Sequence, residues 1–151
     1  MSVIVVDASV GVKWFVPEVH SAEARQWRNG PDQLHAPAFF FDLEIANILW
    51  KKVRRAEITR ADAKLILGRL PTLPLTRHPE PPLLASAFDL AVRTQRTVYD
   101  CLYLALAVQL GGRMVTADQR LYNSLAGTPW AGHICWVGDL PKAPEFQPRE
   151  E

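Results

Sequence analysis

The sequence predicts an α/β protein, a three-layer α/β/α sandwich around a mainly parallel sheet of about five short strands. The run "VIVV" at 3–6 is unbroken, apolar and β-branched, which is typical of a parallel strand covered on both faces. Further strand candidates alternate along the chain with helical patterns. This alternation favours a parallel sheet with helices on both faces and right-handed connections.

Composition indicates one globular domain. The chain has 151 residues, of which 48% are hydrophobic and 22% charged, and its formal net charge of +1 gives no overall basic field. No basic leader and no apolar run of about 20 residues is present, so we expect neither a signal peptide nor a membrane span. We predict a domain at 1–140 and a Pro-rich, flexible tail at 141–151.

The first half of the chain divides at turn signals. The strand at 3–6 ends at Asp7, and a helical pattern then runs to Pro17. Pro37 is placed at the first position of a long helix, where its missing N–H is tolerated. The elements predicted in this half are strands at 3–6 and 34–37 and helices after Asp7, at 21–29 and from 38 to about 55.

The long helix from 38 to about 55 is more apolar than an ordinary surface helix. At about 100° per residue, Glu44, Asn47 and Lys51 form one narrow polar stripe, with Asp42 nearly opposite. We therefore expect this helix to bury one surface in its own core and a second one against a partner protein.

The second half continues the alternation of helices and strands. Thr59 and Asp62 match a capping box at the start of one helix, and Gly111 and Gly112 end another. The predicted elements here are helices at 60–70, 81–94, 100–110 and 119–125, and strands at 73–76, 113–118 and 133–138.

Four acids are predicted to meet at one edge of the sheet. Asp7 and Asp118 follow strands, Asp100 opens a helix, and Glu44 lies seven residues beyond Pro37, about 10 Å along its helix. Strand carboxyl ends and the following helix starts share an edge, and open α/β sheets bind ligands there.

Each acid also has an ordinary structural interpretation. Asp7 and Asp118 could cap helices, Asp100 could belong to a capping box with Thr97, and Glu44 could be a solvated surface residue. Together, however, buried like charges are costly, and no lysine or arginine is obviously placed to neutralise all four. A hard divalent cation such as Mg²⁺ or Mn²⁺ would do so, and such ions polarise phosphoryl oxygens and activate water.

Four separated stretches, "VVDASVGVKWFVPE", "LEIANIL", "TVYDCLYLALA" and "MVTADQRLYN", resemble the PIN-domain ribonucleases. The resemblance is closest to the VapC-type toxins of toxin–antitoxin pairs and covers about residues 3 to 140. Cys101 departs from it mildly, because a small residue such as alanine is usual there. Despite this departure, the four matching stretches imply a PIN-like fold.

The resemblance also implies roles for particular residues. The implied metal-binding and catalytic acids are Asp7, Glu44, Asp100 and Asp118. Thr116 matches a hydroxyl residue that helps to hold the water of the metal site or an acid, and Ser9 and Asn47 match supporting polar positions. The implied activity is Mg²⁺- or Mn²⁺-dependent endonucleolytic hydrolysis of RNA that leaves 5′-phosphate and 3′-hydroxyl ends. The implied partners are an RNA, a small cognate antitoxin and a second copy of the chain, in the cytoplasm.

Two other function classes stay open at this stage. A PIN-like module that only binds protein or RNA would be favoured by a missing acid, and all four are present. A phosphotransfer receiver needs an acid pair near the first strand, where Asp7 stands alone. Nothing in the sequence selects transfer, ribosomal or messenger RNA as the target.

Basic residues and cysteines are ambiguous. The run "KKVRR" at 51–55 could contact RNA phosphates, but it also suits the negative end of a helix dipole. Any of Lys13, Arg113 and Arg120 could reach a phosphate near the acids. The two cysteines, Cys101 and Cys135, are expected to be reduced core thiols.

Overall fold

Five parallel strands form the central sheet of the protein, which is described here from a computed structural model that covers residues 2–140. The strands are β1 (Val3–Val6), β2 (Gln33–Pro37), β3 (Thr76–His78), β4 (Arg113–Thr116) and β5 (Ile134–Trp136). Their order is β3-β2-β1-β4-β5. In the central pairs, Val5 lies beside His35 of β2 and Met114 of β4.

Helices connect every pair of successive strands. They are α1 (Ala8–Gly11), α2 (Ser21–Asn29), α3 (Phe40–Arg54), α4 (Arg60–Arg69), α5 (Leu84–Thr94), α6 (Val98–Gln109) and α7 (Gln119–Leu125). The chain moves from β1 towards β3 and then returns past β1 to β4. Right-handed crossovers consequently place α1 to α4 on one face and α5 to α7 on the other. The predicted α/β/α class is confirmed.

The core is centred on β1 and α6. Ile4, Val5 and Val6 have no exposed surface, and every residue of α6 from 101 to 107 is buried. Helix α6 packs on β1, β2 and β4 from one side and against α5 on the other. The apolar run without a polar stripe is therefore a helix surrounded by protein, as its sequence indicates.

The boundaries at Pro37 and before Thr76 differ from the predictions. Pro37 ends β2, where it pairs with His78, and α3 begins only at Phe40; the first helical position predicted for Pro37 is wrong. The strand predicted at 73–76 begins at Thr76, because the amides of Leu73 and Leu75 are used in turns that follow α4. Turn chemistry, with Pro74 between those amides, takes precedence over the apolar run.

The helix predicted at 100–110 begins at Val98, so Asp100 is its third residue and does not open it.

Within residues 2–140 no helix has the length and apolar character needed to cross a bilayer. The predicted tail at 141–151 lies outside the described residues, and the division into domain and tail stays a prediction.

Gly112 supplies a test of the packing between the end of α6 and β1. A Cβ at Gly112 would overlap the carbonyl oxygen of Val3, whereas Gly68, within α4, has open space around it. We predict that Gly112→Ala lowers the free energy of unfolding by about 2 kcal/mol or more through overpacking. Gly68→Ala should raise it by roughly 0.5–1 kcal/mol. Urea denaturation measures both, and equal stabilities for the two variants would contradict this packing.

Candidate functional site

The site lies where the chain reverses its direction across the sheet. Strands β1 and β4 are neighbours, yet β1 leads to one side of the sheet and β4 to the other. Such a switch point opens a crevice at the carboxyl ends of the strands. Asp7 follows β1 directly, and Asp118 lies two residues beyond the end of β4.

Asp7 is the buried centre of the site, with only 5% of its surface exposed. Its side chain forms no capping hydrogen bond with α1. Instead, the hydroxyls of Thr116 and Ser9 both donate to its Oδ2 atom, at 2.8 Å and 3.0 Å. Asp7 thus occupies the N-cap position of α1, but its carboxyl is held first by the side chains of Thr116 and Ser9 and not by the helix amides.

The same two hydroxyls fix the carboxyl end of β4. Ser9 Oγ accepts a hydrogen bond from the amide of Ala117, and Thr116 Oγ1 accepts one from the amide of Asp118, each at 3.0 Å. Each hydroxyl thus donates to the carboxylate and accepts from the backbone. The predicted assisting residues Ser9 and Thr116 lie beside Asp7, in positions that orient it.

Glu44 approaches Asp7 from the face of the sheet that carries α3, whereas α6 lies on the other face. Because α3 begins at Phe40, Glu44 lies only about 6 Å into its helix, not the predicted 10 Å from Pro37. The Phe40 ring stacks on Tyr99 of α6 with ring centroids 5.4 Å apart, which joins the amino ends of α3 and α6. The Glu44 carboxyl lies close enough to Asp7 for the charge of Asp7 to raise the pKa of Glu44.

Burial and like charge raise the pKa values of three acids. Burial raises the pKa of Asp7 to about 6, helped by the charge of Asp100 and opposed by the two hydroxyl hydrogen bonds. Burial raises the pKa of Glu44 to about 8, with further contributions from Asp7 and Asp100. The pKa of Asp100 is also raised, first by burial and then by Asp118. All four predicted acids therefore share one electrostatic neighbourhood.

Asp100 and Asp118 also fulfil their ordinary structural roles. The amide of Asp100 donates to Thr97 Oγ1 at 3.1 Å, so Thr97 caps α6. Asp118 Oδ1 accepts from the amides of Arg120 and Leu121 at 3.0 Å and 3.1 Å and so caps α7. Capping and membership of the acidic cluster are not exclusive, since each carboxylate has two oxygens.

Two residues of the site were not predicted. Arg96 Nη2 lies 3.6 Å from Asp100 Oδ2, and its positive charge lowers the pKa of Asp100. The Tyr103 hydroxyl is buried, has no hydrogen-bond partner among the described residues, and feels the charges of Asp7 and Glu44. Helical spacing places Tyr103 on the same side of α6 as Asp100 but does not say that this side meets the crevice, and Arg96 precedes α6, so helical spacing gives no signal for it.

The remaining predicted residues are farther from the acids or otherwise engaged. Asn47 is exposed on α3, one turn beyond Glu44. Lys13 forms an ion pair with Glu18 at 2.9 Å. Arg113 begins β4 and so lies at the amino edge of the sheet, which makes its proposed place beside the acids wrong.

The four acids influence one another electrostatically, but they are not arranged as the ligands of one metal ion. Within residues 2–140, no three acidic, histidine or cysteine side chains are arranged closely enough to hold one metal ion. The donor chemistry nevertheless suits a hard divalent cation, because the available atoms are carboxylate and hydroxyl oxygens.

Comparison with known proteins gives a consistent result. The PIN domain family model matches residues 4–124. Ribonuclease VapC3 of Pyrobaculum aerophilum is 37% identical over 123 residues, which are 78% of this chain and 91% of that protein. Ribonuclease VapC12 of Mycobacterium tuberculosis is 34% identical over 122 residues, 80% of this chain and 91% of that protein.

Two solved structures share the fold. The crystal structure of PAE2754 from Pyrobaculum aerophilum superposes with a TM-score of 0.65 at 26% identity, covering 91% of this chain and 85% of that one. VapC20 of Mycobacterium tuberculosis, a Sarcin-Ricin loop cleaving toxin, gives a TM-score of 0.62 at 16% identity, over 81% and 95% of the two chains.

The raised pKa values predict how stability depends on pH in the absence of divalent metal. In the unfolded chain the carboxyls of Asp7 and Glu44 lose their protons above about pH 4. In the folded protein Asp7 retains its proton up to about pH 6 and Glu44 up to about pH 8. The free energy of unfolding should therefore fall as pH rises from 4 to 8, by a few kcal/mol in total. Asp7→Asn should remove much of this slope.

Thermal unfolding in EDTA at a series of pH values measures the effect. The informative quantity is the difference between the parent and the variant, because contributions from the rest of the chain are common to both proteins. Parallel curves for the parent and Asp7→Asn would contradict the electrostatic description of the site.

Proposed function

The chain belongs to the PIN-domain family, and on this premise we propose that it is the ribonuclease toxin of a VapC-type toxin–antitoxin pair. One observation carries the proposal. The topology brings Asp7, Glu44 and Asp100 from three distant parts of the sequence into a crevice where their charges oppose one another. Neither capping nor core packing requires that arrangement, whereas a divalent-metal site for hydrolysis of a phosphodiester would use it.

We propose that Mg²⁺ or Mn²⁺ is the cofactor. Asp7, Glu44, Asp100 and Asp118 are the residues that would hold it, since carboxylate oxygens are its preferred ligands. A bound dication supplies polarisation of a phosphoryl oxygen and activation of water. The like-charge repulsion that raises the pKa values of Asp7 and Glu44 supports this proposal, because a cation would relieve it.

The surrounding residues orient the acids. Thr116 and Ser9 both donate to one oxygen of Asp7, which fixes the orientation of its carboxylate and leaves the other oxygen free of these two bonds. Arg96 forms an ion pair with Asp100 and restrains its side chain. Glu44, whose pKa is about 8, can take up a proton near neutral pH.

The proposed reaction is endonucleolytic hydrolysis. The oxygen of a water molecule bonds to phosphorus while the bond from phosphorus to the 3′ oxygen breaks. The 3′ oxygen receives a proton, so the products carry a 5′-phosphate and a 3′-hydroxyl. The proton that the attacking water loses balances the one that the 3′ oxygen gains.

We further propose a cognate antitoxin and a homodimer. Leu84, Phe88 and Val92 form an apolar stripe along α5, each more than half exposed. Such a stripe favours an isologous contact with a second copy. A cytosolic location is also proposed, which the buried free thiols of Cys101 and Cys135 support.

The activity is tested by removing single charges. Asp7→Asn and Asp100→Asn should each slow cleavage of purified total RNA by about a thousandfold or more, since the lost charge stabilisation is several kcal/mol. Asp89→Asn, an exposed acid on α5, is the matched control and should cleave at the parent rate. EDTA should abolish cleavage, and Mn²⁺ should restore it.

The readouts are gel-resolved rates and sequencing of the new RNA ends, with circular dichroism to check folding. Full activity of a folded Asp100→Asn variant would contradict the assignment of the site. No cleavage by the parent, in protein freed of antitoxin, would favour the alternative of a non-catalytic PIN-like module.

The dimer is tested by a charge in the α5 stripe. Phe88→Glu should convert the dimer to a monomer in sedimentation equilibrium, because it buries a carboxylate in an apolar contact. Leu65→Glu on α4, where the parent side chain is 64% exposed, is the matched control and should remain dimeric. Monomeric parent protein at high concentration would contradict the proposal.

A further inference from the structure

The carboxyl-terminal half of α3 carries a basic and aromatic surface that the acidic site does not use. It consists of Trp50, Lys51, Arg54 and Arg55, which we call the α3 track. These four side chains line a shallow groove of about 300 Å³. This volume is at the lower end of the range for small-ligand sites.

Trp50 has the geometry of a stacking platform. It is 53% exposed, whereas the other four tryptophans of the chain are buried or half-buried. The guanidinium of Arg54 lies 4.7 Å from the centroid of its ring. A cation over an exposed indole presents a flat, positively charged surface, which suits a nucleobase and its phosphate.

The cations of the track are available for a ligand. Among the described residues, no carboxylate lies within 4 Å of Lys51, Arg54 or Arg55. Their neighbour Lys52 differs, because it forms ion pairs with both Glu18 and Glu57. Of the four cationic side chains at this end of α3, Lys52 is therefore paired with carboxylates among the described residues, and the other three can contact solvent or a polyanion.

The track is continuous with the acidic site. Lys51 is close enough for its ammonium to act on the carboxyl of Glu44. Glu44, Asn47 and Lys51 follow one another along the same polar stripe of α3. The distance from Glu44 to Lys51 along the helix is about 10 Å, which corresponds to roughly three stacked nucleotides.

From these observations we propose that the α3 track is a substrate subsite that binds a single-stranded segment of the RNA beside the scissile phosphate. A base stacks on Trp50, and Lys51, Arg54 and Arg55 contact phosphates. The inference rests on the proposed ribonuclease function and specifies which surface of the molecule holds the substrate. It assigns to Trp50 a positioning role, since it touches RNA but not the reacting atoms.

Two other roles for the α3 track, stabilisation of the helix and binding of a protein, make different demands on residue 50 from those of an RNA subsite. Cations at a helix carboxyl terminus stabilise the helix dipole, but that role needs no exposed tryptophan. An apolar contact with a partner protein would use the hydrophobic area of Trp50 and would tolerate leucine there. Stacking on a base requires an aromatic ring.

The test uses the full chain in EDTA, which prevents cleavage, and a fluorescein-labelled 12-nucleotide oligouridylate as the probe. Fluorescence anisotropy at low salt measures its affinity. Trp50→Leu should weaken binding by about five- to a hundredfold, and Trp50→Phe should retain most of it. Lys51→Gln and Arg55→Gln should each lower the salt dependence, by about 0.7 in the slope of log affinity against log salt concentration.

Matched controls remove side chains of the same kind elsewhere. Leu65→Ala removes an exposed apolar side chain from α4, and Arg25→Gln removes an exposed cation from α2. Both should bind the probe as the parent does. The fluorescence of Trp50, taken as the difference between the parent and Trp50→Phe, should be quenched by the RNA.

The outcomes separate this inference from the proposed function. If Trp50→Leu, Lys51→Gln and Arg55→Gln bind and cleave RNA as the parent does, while Asp7→Asn abolishes cleavage, the subsite is wrong and the ribonuclease function stands. RNA affinity that Trp50→Leu leaves unchanged, together with a change in oligomeric state in the Lys51→Gln or Arg55→Gln protein, would also overturn the subsite and assign the track to a protein contact. A parent that neither binds nor cleaves RNA would overturn both proposals.

Discussion

The site depends on the burial of one carboxylate, that of Asp7, among other acids. Its side chain is almost fully enclosed and is held at one oxygen by the hydroxyls of Ser9 and Thr116. A buried anion with acidic neighbours is unfavourable on its own, so the protein retains protons at Asp7 and Glu44 above their usual range. The same repulsion makes the crevice attractive to cations.

The fold creates this arrangement through its connectivity. The reversal of strand order between β1 and β4 opens the crevice, and helices from both faces of the sheet reach its rim. The stacking of Phe40 on Tyr99 joins the amino ends of α3 and α6, the two helices that carry Glu44 and Asp100 towards Asp7. Beyond Glu44, α3 continues as a basic and aromatic surface, so a single helix could serve both the acidic site and the substrate.

The sequence predicts the architecture and the acids because both depend on local patterns. Hydrophobic runs locate β1 and α6, and acids at strand ends fall on one edge whatever the fine geometry. Boundaries set by turns were predicted less well, as at Pro37 and in the segment before Thr76. The contacts of Arg96 and Tyr103 depend on which face of α6 meets the crevice, and the stacking of Phe40 on Tyr99 depends on tertiary packing. Neither is specified by the sequence of one helix alone.

The most direct test of the account is calorimetric titration of the antitoxin-free protein with Mn²⁺ at pH 7 in two buffers of different ionisation enthalpy. Because Glu44, with a pKa of about 8, holds a proton at this pH, the account predicts that metal binding releases about one proton for each ion bound. The apparent enthalpy should therefore differ between the buffers. Absence of binding, or binding with the same enthalpy in both buffers, would contradict the claim that a cation relieves the repulsion among these carboxylates.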